Sequence, residues 1–142
     1  MKNESDLVFD IFPGRTLTGA EVFGHPDVCG IDSITFSLDG EKISVSVDPD
    51  TDTLIWTTGS VFPHYEGQVR KNPEFWKKYL GKNIVFVWRM ANQGGYHDAT
   101  QFMFGPQETE FMITQIMAMS SGLIQFSLTA DGPSGCPETA AD

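Results

Sequence analysis

A chain of 142 residues that is 40% hydrophobic and 20% charged, with 11 Phe, 3 Trp and 3 Tyr, can bury one core and is too apolar for an intrinsically disordered protein. Its formal net charge of −10 speaks against nucleic acid or an anionic membrane as partner, since both are bound by Lys and Arg neutralising phosphates. No stretch approaches the ~20 apolar residues of a membrane span, and "MKNESDLVFDIFPG" lacks the apolar run of about 7–15 residues found in signal peptides, so a cytoplasmic protein is expected.

Residues 1–13 read as an N-terminal segment, 14–130 as a single globular domain and 131–142 as a flexible tail. A first strand is expected around "TLTGAEVF". In "HPDVC", His25 and Cys29 form a lone H-x3-C, and neither these residues nor His64 and His97 show the paired spacing of a zinc site. Cys29 and Cys136 lie far apart, and a structural disulfide is not expected in a reducing compartment.

"IDSITFSL" and "EKISVSVD" alternate apolar and polar residues around Asp39-Gly40, the pair that favours a type I′ hairpin turn. A two-residue loop sets Leu38 opposite Glu41, Phe36 opposite Ile43 and Ile34 opposite Val45, leaving Ser33, Thr35, Ser37, Ser44 and Ser46 on the other face. In "DPDTD", Asp48, Asp50 and Asp52 take alternate positions as at the start of an EF-hand loop. Thr53 stands where that loop needs Gly and Gly59 where it needs Glu, so an EF-hand is excluded and the three remain weak candidates for a divalent cation. "TLIWTT" continues the same sheet.

From Ser60 to Asn72 no period is visible, and a loop is expected. "NPEFWKKYLG" predicts a short helix near 73–80, with Asn72 as cap, Pro73 at the first turn and Gly81 as the stop. Phe75, Trp76, Tyr79 and Leu80 would form one apolar stripe on the sheet. Four further strands follow, "NIVFVWRM", "YHDATQFMF", "EFMITQIMAM" and "LIQFSLTA". The fold class expected is mainly β (α+β), an antiparallel up-and-down sheet or barrel-like roll of about eight strands with one short helix.

"WRMANQGGYHDATQFMF", residues 88–104, gathers an Arg, an Asn, a Tyr, a His and an Asp around a double glycine. Because "NIVFVWRM" is apolar on both faces except at Arg89, a central strand covered on both sides is expected. An even loop would set Ala91 opposite Tyr96, Arg89 opposite Asp98 and Trp88 opposite Ala99, pairing the only cation with the only anion. His97 and Asp98 are consecutive, so they point to opposite faces and form no dyad. Arg89, Asn92, Tyr96 and Asp98 are the candidate binding residues, for Arg89, Tyr96 and Asp98 could line a small polar pocket. Trp88, Asn92, Gly95, Tyr96 and Asp98, spaced W-x3-N-x2-G-Y-x-D, with "SITF" and "ISVSVDPDTDTL" upstream and the "LGKNIVFVW" lead-in, resemble a family of small bacterial domains of unknown function from about Ile31 to Leu128. The resemblance implies a bacterial cytoplasmic domain and no activity.

Charge is uneven along the chain. Residues 16–58 hold Glu21, Asp27, Asp32, Asp39, Glu41, Asp48, Asp50 and Asp52 against Lys42 alone, whereas residues 59–82 hold Arg70, Lys71, Lys77, Lys78 and Lys82 against Glu66 and Glu74. No G-x-S-x-G elbow or Gly-rich phosphate loop occurs, so no catalytic residue or cofactor is assigned. The function expected is a non-enzymatic acidic module that binds a basic protein, as immunity or antitoxin proteins do; the alternative is a small enzyme or ligand binder using the Arg89, Tyr96 and Asp98 face. Oligomeric state is not legible.

Overall fold

In the computed structural model, which describes residues 7–60, 66–105, 112–119, 122–128, 132–133 and 137–140, Asp39 and Gly40 have φ of 52° and 93°. Those positive values are what a type I′ turn requires. The turn joins β2 (Ser33–Leu38) to β3 (Glu41–Asp48) in the expected register, Leu38 opposite Glu41 and Ile34 opposite Val45. β1 (Leu17–Gly24) and β4 (Thr53–Thr58) flank this hairpin, and β5 (Val69–Lys71) pairs with β1, so the first sheet runs β4-β3-β2-β1-β5. β5 lies in the stretch expected to be a loop. Three residues are too few to show a period of two.

The second sheet contains β6 (Ile84–Ala91), β7 (His97–Phe104), β8 (Met112–Met119), β9 (Gly122–Ser127) and β10 (Gly132–Pro133), in the order β10-β9-β8-β7-β6. Every pairing in both sheets is antiparallel. The chain is mainly β and antiparallel as expected, and all eight expected strands form. They divide between two sheets, with β5 and β10 added at the edges.

The two inner faces meet through aromatic side chains. Val22, Ile34, Val45 and Trp56 are cross-strand neighbours in the first sheet, and the Trp56 and Phe36 rings each lie 6.2 Å from that of Phe102 in the second. A helix absent from the sequence expectation, α1 (Leu7–Ile11), delivers Phe12 between them, with ring centroids 5.8 Å from Phe36, 5.2 Å from Trp56 and 4.8 Å from Phe102. Val8 and Phe12, from the stretch read as an N-terminal segment, are core residues.

The second helix, α2 (Glu74–Lys77), forms where its sequence places it. Asn72 Oδ1 accepts from the Glu74 N–H at 3.1 Å, and Gly81 follows with φ of 83°. Its inward side chains tie both sheets together. Trp76 lies 4.9 Å from Phe36 and donates its indole N–H to Gln125 Oε1. Tyr79 packs 4.7 Å from Phe104, and its hydroxyl lies 2.9 Å from that of Thr114. Leu80, expected on the same stripe, is exposed instead, since Trp76 and Tyr79 already occupy the buried side.

Parts of the stretch read as a tail are paired to the domain. Gly132 and Pro133 stand opposite Ser127 and Phe126. Thr139 bridges Lys71, Asn72 N–H donates to the Glu138 carbonyl at 2.6 Å and Ala140 N–H to that of Arg70 at 3.1 Å. Contrary to the sequence expectation, Cys29 is disulfide-bonded; the chain's other cysteine, Cys136, lies outside the described residues. The expectation rested on a reducing compartment and a free tail, whereas residues 138–140 lie paired along β5. Reduction is therefore expected to lower the unfolding free energy by about 2–4 kcal/mol. Urea curves recorded with and without dithiothreitol check this, and coincident midpoints would contradict it.

Candidate functional site

The β6–β7 hairpin was the sequence's best site, and Asn92 organises its loop. Asn92 Oδ1 accepts from the N–H groups of Gly94 at 2.8 Å and Tyr96 at 3.3 Å, and its backbone N–H donates to the Tyr96 carbonyl at 2.9 Å. Gly95 adopts φ of 84°, a conformation that costs a side-chain-bearing residue and not Gly. Asn92 Nδ2 reaches Asp98 Oδ2 at 3.4 Å. Asn is suited to this position because its amide offers both acceptor and donor.

The register differs from the one expected. Ala91 pairs with His97, Met90 with Ala99 and Arg89 with Thr100, with an irregularity between Met90 and Ala91 that leaves Asp98 as the extra residue. The loop is thus five residues long and closed by a bulge. The expected opposition of Arg89 to Asp98 does not form, because the odd, five-residue loop moves the β7 partners on by one residue and the bulge by one more. Arg89 is an exposed residue whose guanidinium lies 5.9 Å from the ring centroid of Phe9 in α1. Tyr96 is exposed at the loop, and His97 is buried with Nε2 2.9 Å from Thr100 Oγ1. A double-mutant cycle on Arg89→Ala and Asp98→Ala in urea is expected to give a coupling energy within about 0.5 kcal/mol of zero. A coupling of about 1 kcal/mol or more would restore the cross-strand pair.

A cavity of about 150 Å³ does occur elsewhere, beside β1 and β5, lined by Ala20, Glu21, Val22, Arg70, Lys71, Pro73 and Ala140. That is below the roughly 300–1,000 Å³ of ordinary ligand sites. Its carboxylate is already engaged, Glu21 lying 3.0 Å from Arg70 and 3.8 Å from Lys42. Among the described residues no group of three or more His, Cys, Asp or Glu could hold a metal ion. Asp48 Oδ1 instead accepts from the Asp50 N–H at 2.9 Å, and Asp52 takes φ of 51°, so this carboxylate shapes the β3–β4 turn. His64 lies outside the described residues.

Two surfaces stand out. The β1–β2 connection and the β3–β4 turn fall at the same end of the first sheet, for Phe23 pairs with Ser33, Ser33 with Ser46 and Asp48 with Thr53. Asp27, Asp32, Asp48, Asp50 and Asp52 lie on or beside these two connections, and Lys71 Nζ donates to the Val28 carbonyl in the first of them at 3.1 Å. Asp27 and Asp50 are exposed, while Asp32 accepts from Gln68 Nε2 at 3.1 Å. The other surface is the outer face of the second sheet. β6 is its edge strand, correcting the expected central position, and Phe86, Trp88 and Met90 project at alternate residues with 57%, 40% and 36% of their surface exposed.

The apolar face continues inward across the sheet. Phe86 is opposite Met103 and Trp88 opposite Gln101; Met103 is then opposite Ile113 and Gln101 opposite Gln115; Gln115 is opposite Phe126 and Met117 opposite Ile124. Sequence reasoning missed this surface, although its signal was visible. A strand apolar on both sides reads as covered on both sides, and here the second cover is absent among the described residues.

A family model described as a family of unknown function, DUF6334, matches residues 1–130. The chain belongs to that family. No curated protein and no solved structure matches the chain. The family match takes in α1 and Phe12, and it ends before Cys136 and the 137–140 segment that lies against β5. The matched span is longer than the Ile31–Leu128 over which a resemblance was expected.

Proposed function

We propose that the protein is a non-enzymatic binding module of a bacterial cell whose acidic end receives a basic protein, in the manner of an immunity or antitoxin protein. The observation that carries this reading is the gathering of Asp27, Asp32, Asp48, Asp50 and Asp52 at one end of the first sheet. Charge concentrated on one end steers an oppositely charged partner and speeds encounter more than it raises affinity. At the other end of the hairpin Glu41 lies 3.6 Å from Arg15, and Asp39 accepts from the Thr16 N–H at 3.2 Å. The ligand-binder alternative has less support, since Arg89, Tyr96 and Asp98 serve the hairpin separately. The disulfide at Cys29 fits an oxidising compartment better than the reducing cytosol expected from the sequence.

Immobilised protein and its Asp27→Lys/Asp50→Lys variant, both exposed sites, can be compared in capture from the source cell's lysate at low and high salt. The reading expects a basic protein retained by the wild type at low salt, released at high salt and absent from the variant. Identical captured sets for the two would remove it.

A further inference from the structure

We infer that the outer face of the second sheet is the surface on which two copies of this chain join. The inference is independent of the acidic end and of whatever binds there. Phe86, Trp88 and Met90 lie on the edge strand β6, and behind them Met103, Met117 and Ile124 continue the same face on β7, β8 and β9. The Phe86 and Trp88 rings lie 5.9 Å apart, centroid to centroid. Strands β6 to β9 are six to eight residues long. At ~4.8 Å between strands and ~3.4 Å per residue they present a face of roughly 19 by 24 Å in projection. With the relief of the side chains, this approaches the roughly 600 Å² that each partner contributes to the smaller stable interfaces. It also lies within the size range of the largest apolar patch on an ordinary monomer, a patch that is often functional.

Charge decides which occupant fits. The outward residues described on β6 to β9 include no Asp, Glu, Lys or Arg. A basic protein would find no carboxylate there. A second copy, although it also carries a net charge of −10, meets no like charge on this face, and both acidic ends stay on the other sheet. Two polar side chains lie within the face, and they are bonded to each other: Gln101 Nε2 donates to Gln115 Oε1 at 2.8 Å. Covering them leaves that hydrogen bond intact, which offsets part of the cost of desolvating the two amides. A face of this kind is complementary to itself across a two-fold axis, and sheets stack face to face ~10 Å apart with interleaved side chains.

Sedimentation equilibrium of the full oxidised chain, taken to sub-millimolar concentration, tests the inference. The wild type is expected to approach twice the 15.7 kDa chain mass, and Trp88→Glu and Phe86→Glu are each expected to weaken the dimer at least about tenfold. Both side chains are exposed in the single copy, so near-UV circular dichroism should remain that of the folded domain. Asp50→Lys, on the other sheet, should leave the dimer unchanged. A wild type that stays at the mass of one chain overturns the inference, as do folded Trp88→Glu and Phe86→Glu proteins that dimerise like the wild type. So does a single chain that floats with zwitterionic lipid vesicles, which would give the face to a membrane surface.

Discussion

Replacing Phe12 by Ala is expected to lower the unfolding free energy by about 3–5 kcal/mol. Phe12 is 1% exposed and touches three rings drawn from both sheets, Phe36, Trp56 and Phe102. Truncation removes the transfer free energy of a benzyl group and leaves a cavity that three bulky neighbours on two rigid sheets cannot collapse to fill. Domains hold only about 5–15 kcal/mol in reserve, so this loss is a large fraction of the whole. Phe9, on the same helix and 42% exposed, supplies the contrast. Its one described ring contact is to the Arg89 guanidinium, and Phe9→Ala is expected to cost about 1 kcal/mol or less. Urea unfolding of the two variants checks this, and equal losses would contradict the placement of Phe12.

Trp76→Ala should be as damaging for a different reason. α2 has four residues, far too few to be helical alone, so its position depends on what its side chains grip. Trp76 grips the first sheet through Phe36 and the second through Gln125. Its removal opens a cavity and also leaves a hydrogen bond unmade in the core, for about 3–5 kcal/mol in all. Trp76→Phe keeps most of the packing and loses only the indole N–H, and about 1–2 kcal/mol is expected. A Phe variant as unstable as the Ala variant would mean that the bond to Gln125 dominates. A Phe variant equal to the wild type would mean that it contributes nothing.

Much of the first sheet was legible because two independent signals agreed. Alternation from Ile31 to Asp48 set which side chains share a face and Asp39-Gly40 set the turn, and the observed pairing follows both, although Ser33, Thr35, Ser44 and Ser46 on the polar face are buried as well. The α2 helix was legible from Asn72 and Gly81, which bracket it, although it spans Glu74–Lys77 and not the whole of 73–80. β5 was not, because its three residues owe their extended form to pairing with β1, a partner about fifty positions earlier in the chain. α1 is similar. Its five residues are too few to show a helical period, although Val8 and Phe12, four positions apart, are both buried.

At the candidate site the failures have one root. Charge alone suggests pairing Arg89 with Asp98, but a five-residue loop and a bulge at the start of β7 together shift the register by two residues. Bulges are set by local backbone geometry that the side-chain pattern does not record. The apolar outer side of β6 was read as proof of cover, whereas burial is a property of the assembly and not of the strand. Met103, Ile113, Met117 and Phe126 repeat the same signal on three further strands. Taken together they described a face, where each alone suggested only a buried strand.

The central claim is that the two sheets present separate surfaces with separate partners: an acidic end on the first for a basic protein and an apolar face on the second for another copy. One crossed measurement addresses it, the mass of the species recovered when wild type, Asp27→Lys/Asp50→Lys and Trp88→Glu proteins are each captured from lysate at low salt and eluted for light scattering. The wild type is expected as a dimer carrying a basic protein, the lysine variant as a bare dimer and Trp88→Glu as a single chain that still carries the basic protein. If either variant loses both partners while remaining folded, the two surfaces are one, and the account is contradicted.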